Sequence, residues 1–353
     1  MNAAISPKPR RLWLYLPFAL LLLVALSWSA VWFYGRYRIN LEIDNFFARQ
    51  GSLGRIWSCP ERSIAGFPFR IEGRCANPTY RQELAPGDVL NGALKGLTIV
   101  ATTAGAFTLG HVISEFDSPL VVQRAGVVET NATWKTARSS VRGGINRLEQ
   151  ASLEVQGLAV TLGLAEGVSF QWKAEALSLH LRESADPVAV GAFDLAVRLQ
   201  NAAIPELDNL LQSRDPITLE LDARILKLAS IDRRDWRVTL EAWRGNGGSV
   251  LVEQLKLSKG APRLEAKGEL SLDAQRRLQG QLATNFVNAG QILQQFGIGG
   301  TGNLGGLIGG LLGGQRQADQ QRERSLRLPL VFEDGRIAVG PFKIPKVQLR
   351  PLY

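Results

Sequence analysis

An uncharged, mostly apolar run of 23 residues, Leu12 to Tyr34, is the strongest constraint on what this chain can become. A helix rises about 1.5 Å per residue, so the run crosses a hydrocarbon core of about 30 Å with a little length to spare. It continues through Trp28, Val31, Trp32, Phe33 and Tyr34, which predicts an uncleaved signal anchor rather than a cleaved leader. Trp13 and Tyr15 at one end, with Trp32 and Tyr34 at the other, are placed for two aromatic belts at headgroup depth. Lys8, Arg10 and Arg11 precede the run and Arg36 and Arg38 follow it, a bias toward a cytoplasmic N-terminus. Residues 1–38 therefore read as a cytoplasmic tail with its transmembrane anchor, and residues 39–353 as a β-rich domain outside the cytoplasm, in one lobe or two sub-lobes.

The formal net charge of +9 loses its suggestion of nucleic acid when divided along the chain. Residues 1–38 hold five basic and no acidic residues, which leaves +4 for everything after them. No basic run with interleaved aromatics follows, so no nucleic-acid partner is expected. The two cysteines, Cys59 and Cys75, fall just beyond the anchor, on the side argued to be oxidising, and are expected to pair; two buried thiols are the alternative. His111 and His180 are the only histidines, and neither has a ligand at metal-site spacing, so no metal or other cofactor is expected.

From Ile64 onward the apolar pattern has period two. Phe67, Phe69 and Ile71 alternate with wet positions, and Pro68 suits a sheet edge or strand start. The alternation returns at Leu153-Val155, Val168-Phe170-Trp172-Ala174, Phe193-Leu195-Val197-Leu199, Ile217-Leu219-Leu221 and Trp236-Val238-Leu240-Ala242. It continues at Leu255-Leu257, Leu264-Ala266-Gly268-Leu270-Leu272, Leu278-Gly280-Leu282, Leu326-Leu328-Leu330-Phe332 and Ile337-Val339. So many one-faced strands predict a mainly β fold, an N-terminal transmembrane helix followed by a long, bent antiparallel sheet with a few packed helices.

Turn chemistry marks the connections. Arg244-Gly245-Asn246-Gly247-Gly248 separates two of the runs, and Glu333-Asp334-Gly335-Arg336 carries the Asp-Gly pair of a two-residue hairpin. Between Lys173 and Leu181 the apolar phase moves from even to odd positions, which predicts a bulge or bend. Helices are predicted at Leu41–Arg49, Ile204–Leu211 and Asn288–Phe296. Gly297–Gly314 has apolar residues at helical spacing with rows of glycine beside them, and reads either as a helix needing a partner or membrane surface, or as a flexible loop.

Catalytic arrangements are not found. There is no nucleophile elbow, zinc-protease helix, dinucleotide fingerprint or phosphate loop. The acids Asp232 and Asp235, and Glu220 and Asp222, lie among Arg224, Arg233 and Arg234 as solvated ion pairs would. The chain is not expected to be an enzyme.

Trp57-Ser58-Cys59-Pro60, Gly66-Phe67-Pro68-Phe69-Arg70, Cys75, and Glu333 to Pro341 near the C-terminus, together with the anchor, resemble a bacterial envelope family known as domain of unknown function number 2125. The resemblance implies a bacterial inner-membrane protein, crossing once, with its C-terminal domain in the periplasm, and it brings no catalytic residue. Gly268 to Ala274 followed by Leu278-Gly280-Leu282 is similar, more distantly, to AsmA-type envelope proteins. That similarity implies a long periplasmic β structure, and several such proteins are implicated in lipid traffic. Two functions follow as expectations. In the first, the sheet holds or passes lipid along an apolar groove formed by Phe170, Trp172, Val197, Leu219, Leu240, Leu255 and Leu270, with the helix Asn288–Phe296 packed against it or closing one end. In the second, sheet edges or Gly297–Gly314 dock envelope proteins and no ligand is needed.

Overall fold

A computed structural model describes residues 12–105, 108–124, 128–143, 148–164, 167–186, 191–228, 236–288 and 325–353. The apolar run does not end its helix at the first charges. Helix α1 extends from Leu12 to Gly51, 40 residues with Pro17 inside, which at about 1.5 Å per residue is about 60 Å. The helix expected at Leu41–Arg49 is part of its C-terminal end, since nothing between Gly35 and Arg49 forces a stop. By length and composition α1 can cross a membrane.

The strands follow in order. They are β1 (Arg55–Ser58), β2 (Glu61–Ala65), β3 (Ile71–Ala76), β4 (Thr79–Ala85), β5 (Asp88–Gly105) and β6 (Thr108–Arg124). Next come β7 (Val128–Thr133), β8 (Thr136–Gly143), β9 (Leu148–Leu164), β10 (Ser169–Glu183), β11 (Phe193–Ala202) and, after helix α2 (Pro205–Leu211), β12 (Ile217–Leu226). Helix α3 (Trp236–Gly245) precedes β13 (Ser249–Lys259), β14 (Arg263–Leu272), β15 (Leu278–Val287), β16 (Ser325–Glu333), β17 (Arg336–Val339) and β18 (Phe342–Gln348).

All of them join one sheet. From β9 to β18 each strand pairs antiparallel with the next in the chain. Before β9, short strands sit end to end along long ones. Thus β3 and β4 share β5, β7 and β8 share β6, and the same two share β9. The expected Asp-Gly hairpin joins β16 to β17, with Asp334 at φ 51° and Gly335 at φ 72°, the left-handed pair that a two-residue turn requires.

The phase change expected between Lys173 and Leu181 is present. Ala174 pairs with Leu158 and Ala176 with Gln156, so Glu175 and Gly157 both drop out and the register resumes unshifted. Gly157 takes φ 63° and Asn201, on β11, takes φ 49°, while Asn201 Nδ2 donates to Glu175 Oε2 at 2.5 Å. The irregularity therefore crosses three strands. It returns Ala174 to the side of Leu199, where both pack with Ala202, Ile217, Ile204 and Leu207.

Helix α2 forms as predicted, with Ile204 as its N-cap and proline in its first turn. It lies on that cluster. Lys259, only 6% exposed, forms an ion pair with Asp208 of α2 and donates to Asp215 O at 2.8 Å.

Two expectations are corrected. Trp236-Val238-Leu240-Ala242 is not a strand but the body of α3. Strand burial would hide Trp236 and Val238 together, yet they are 56% and 53% exposed, and the buried pair Thr239 and Trp243 has the helical spacing of four. Trp243 Nε1 donates to Leu226 O at 2.8 Å and holds α3 to the end of β12. The Arg244–Gly248 stretch is its C-terminal stop, with Gly248 N–H donating to Trp243 O at 2.8 Å and Gly247 at φ 69°. A Cβ on Gly248 would lie 2.3 Å from the Trp243 ring.

The second correction concerns Phe67 and Phe69, which lie in the turn between β2 and β3 and not on an edge strand. Arg70 N–H donates to Gly66 O at 3.1 Å, closing the turn. Gly66 takes φ 105°, and a Cβ there would lie 2.6 Å from Arg70 O. Of the predicted helix Asn288–Phe296 only Asn288 is described, and Gly297–Gly314, Asp232, Arg233, Arg234 and Asp235 lie outside the described residues.

Candidate functional site

Residues directly opposite in an antiparallel ladder point to the same side of the sheet. Read this way, the register makes one continuous row. Ile64 pairs with Gly73, Gly73 with Ile99, Ile99 with Ser114, Ser114 with Ser139 and Ser139 with Leu153. From Leu153 the row passes through Leu179, Val197, Leu221, Leu255, Ala266 and Thr284 to Leu328. A parallel row runs from Ala137 through Val155, Leu177, Leu199, Leu219, Leu257, Leu264 and Phe286 to Leu326. Most of these side chains are neither buried nor fully exposed. Leu179 and Leu257 are 38% and 37% exposed, a face with little to cover it among the described residues.

The other side is charged. Arg198, Glu220, Lys256 and Glu265 are successive partners of alternating sign. Arg198 also holds both oxygens of Asp222, at 2.7 and 2.8 Å, and Arg224 holds Asp194 at 2.9 Å. Asp222 is ion-paired as expected, but its partner is Arg198 on the neighbouring strand and not the nearby Arg224, which turns to Asp194.

At the β2 end the apolar face meets α1. Beyond Tyr34 the helix presents Ile39, Ile43, Phe46 and Phe47, spaced as one face of a helix, to the sheet. Between them and Ile64, Gly73, Cys75, Leu97 and Ile99 is a cavity of about 560 Å³ with an almost wholly apolar lining, within the size range of ligand pockets. Arg38, Glu42, Arg62, Arg74, Trp57 and Pro78 also border it. Arg62 Nη1 reaches Asp44 Oδ1 of α1 at 2.9 Å. Cys59 and Cys75 are disulfide-bonded beside it, with Cα atoms 5.7 Å apart. A Cβ on Gly73 would meet nothing within 4 Å, so the floor is open there.

The sequence-predicted groove residues divide. Val197, Leu219, Leu255 and Leu270 share the apolar face, Leu270 standing four residues along β14 from Ala266. Trp172 donates from Nε1 to Glu206 Oε2 of α2 at 3.0 Å and stacks near Phe170, with ring centroids 6.4 Å apart, at the end that α2 covers. Leu240 belongs to α3 and not to the sheet face. Sequence reasoning missed the pocket itself, whose signal was the apolar spacing of Ile39, Ile43, Phe46 and Phe47 past the first charges.

Elsewhere, His111 Nε2 lies 2.6 Å from Ser140 Oγ and His180 Nε2 lies 3.9 Å from Glu154 Oε1. No group of three or more His, Cys, Asp or Glu able to hold a metal is found among the described residues. A cluster of charged groups gathers the C-terminus onto α3. Glu241 accepts from Arg244, from Arg276 Nε at 3.0 Å and from Tyr353 OH at 2.8 Å. Those bonds, Arg244 first, lower its pKa to about 2.

The family whose model matches is described as an uncharacterized protein conserved in bacteria, DUF2125, and the match spans residues 32–348. The chain belongs to this family. The DUF2125 span takes in Trp32, the Gly66–Arg70 turn, both cysteines, every wall of the pocket and the whole sheet. No curated protein and no solved structure matches the chain.

Proposed function

We propose that this protein is a single-pass inner-membrane envelope protein, its chain beyond α1 in the periplasm, that takes acyl chains into the pocket beneath α1 and holds or passes them along the apolar face. The observation that carries the reading is the unbroken row of paired residues from Ile64, in the pocket floor, to Leu328 on β16. Its first wall is the same helix that is apolar enough to cross a membrane, so a lipid would have little water to cross. Ile39 and Ile43 stand five and nine residues past Tyr34, within about 14 Å of the end of the apolar run. Native mass spectrometry of the full chain, released from detergent, tests it. Phospholipid adducts that survive delipidating washes are expected. A spectrum of bare protein alone would remove the lipid reading.

The second reading, an envelope interaction protein without a ligand, draws on a concavity of about 800 Å³ over β13 to β16. Its walls include Lys256, Glu265, Lys267 and Arg327, side chains of the charged face suited to a polar protein surface.

A further inference from the structure

The turn between β2 and β3 is bound to α1 from within the apolar run. Trp28 Nε1 donates to Pro68 O at 2.8 Å and Trp32 Nε1 to Arg70 O at 3.2 Å. The Phe67 ring packs against Trp32 and Phe33, with centroids 5.4 and 5.8 Å away. Trp28 is eight residues before Arg36, the first charge after the run, so the turn reaches about 12 Å back along it. A loop lying on the apolar part of a spanning helix is at bilayer depth. Its side chains agree, for Phe69 is 81% and Phe67 50% exposed, beside Phe33 at 55%.

We propose that Phe67-Pro68-Phe69 is a membrane wedge that enters the headgroup and acyl boundary of the leaflet alongside α1. The occupant of this surface is the bilayer itself, because the groups that anchor the turn, Trp28 and Trp32, belong to the apolar run. Aromatic rings are favoured at that depth. Arg36 follows the run, where it can meet lipid phosphates, while Arg70, which ends the turn, is held by Glu72 Oε2 at 3.1 Å. The wedge gives the domain a second point of attachment and fixes its orientation about α1. The proposal rests on α1 spanning a membrane, and the test separates the two.

Full-length Phe69→Cys, Leu22→Cys and Val238→Cys variants, each labelled with an environment-sensitive fluorophore, are reconstituted in phosphatidylethanolamine and phosphatidylglycerol vesicles carrying spin-labelled lipid. Phe69 is exposed, so its replacement removes little packing. Loss of fluorescence at positions 69 and 22, with none at 238, is expected. Quenching at 22 without quenching at 69 overturns the wedge and leaves the anchor standing. Absence of quenching at both overturns the anchor as well. A Phe67→Ser and Phe69→Ser double variant, labelled at position 63 on β2 through Ser63→Cys, should lose the shallow quenching that the unsubstituted turn gives at that position; unchanged quenching there also overturns the wedge.

Discussion

Cys59 is bonded to Cys75 with their Cα atoms 5.7 Å apart, tying the segment that enters β2 to the strand that floors the pocket. With the partners 16 positions apart in the chain, loop closure in the unfolded chain is worth about 3 kcal/mol. Replacing Cys59 by Ser is expected to lower stability by about 2 to 5 kcal/mol. Chemical denaturation with and without reductant measures it, and a wild type indifferent to reductant would contradict the estimate.

Gly66→Ala should loosen the turn from α1. The backbone there is in a region L-residues avoid, and the added Cβ would lie 2.6 Å from Arg70 O, so a cost of about 1 to 3 kcal/mol is expected. Tryptophan fluorescence should shift as Trp28 and Trp32 lose their carbonyl partners, and an unshifted spectrum would count against the contact.

Gly73→Val should fill the pocket floor without backbone strain, since a Cβ there meets open space. The variant should fold normally and co-purify with less phospholipid. Val197→Asp, farther along the same row, should also reduce bound lipid, because a carboxylate among half-buried leucines is costly to desolvate. Full lipid occupancy in both folded variants would refute the route.

Acid should free the C-terminus. The Glu241 pKa is about 2 against an ordinary 4.5, a depressed value, so its contribution is complete above the ordinary value and is lost as pH falls toward 2. Tyr353 OH and Arg276 then lose their acceptor. A tryptophan signal from Trp236, whose ring centroid is 6.0 Å from that of Tyr353, should report the release. Glu241→Gln should remove this acid transition.

A reporter active only outside the cytoplasm, fused after Tyr353, should be active. Activity restricted to a cytoplasmic reporter at that position would overturn the proposed orientation.

The strands were readable wherever one face met water and the other did not. Leu195, Val197 and Leu199, or Leu326, Leu328 and Leu330, repeat at the period of the pleat because the sheet is amphipathic. The same rule misled at Phe67 and Phe69, whose alternation belongs to a turn lying on α1, and at Trp236 and Val238, which are exposed on a helix. The stop at Asn246-Gly247 and the spacing of Trp236, Leu240 and Trp243 carried the helical signal there. The pocket joins α1 to β5, about fifty residues apart in the chain, and no local pattern announces such a meeting.

The neighbour-to-neighbour pairing from β9 to β18 has a consequence for biogenesis. Each strand finds its partner in the one synthesised just before it, so the sheet can lengthen by accretion in the order of synthesis, and the longest closure it needs is across residues 288–324, between β15 and β16. A chain truncated after β15 would still satisfy every ladder already laid down and would expose β15 as its raw edge, in place of β18.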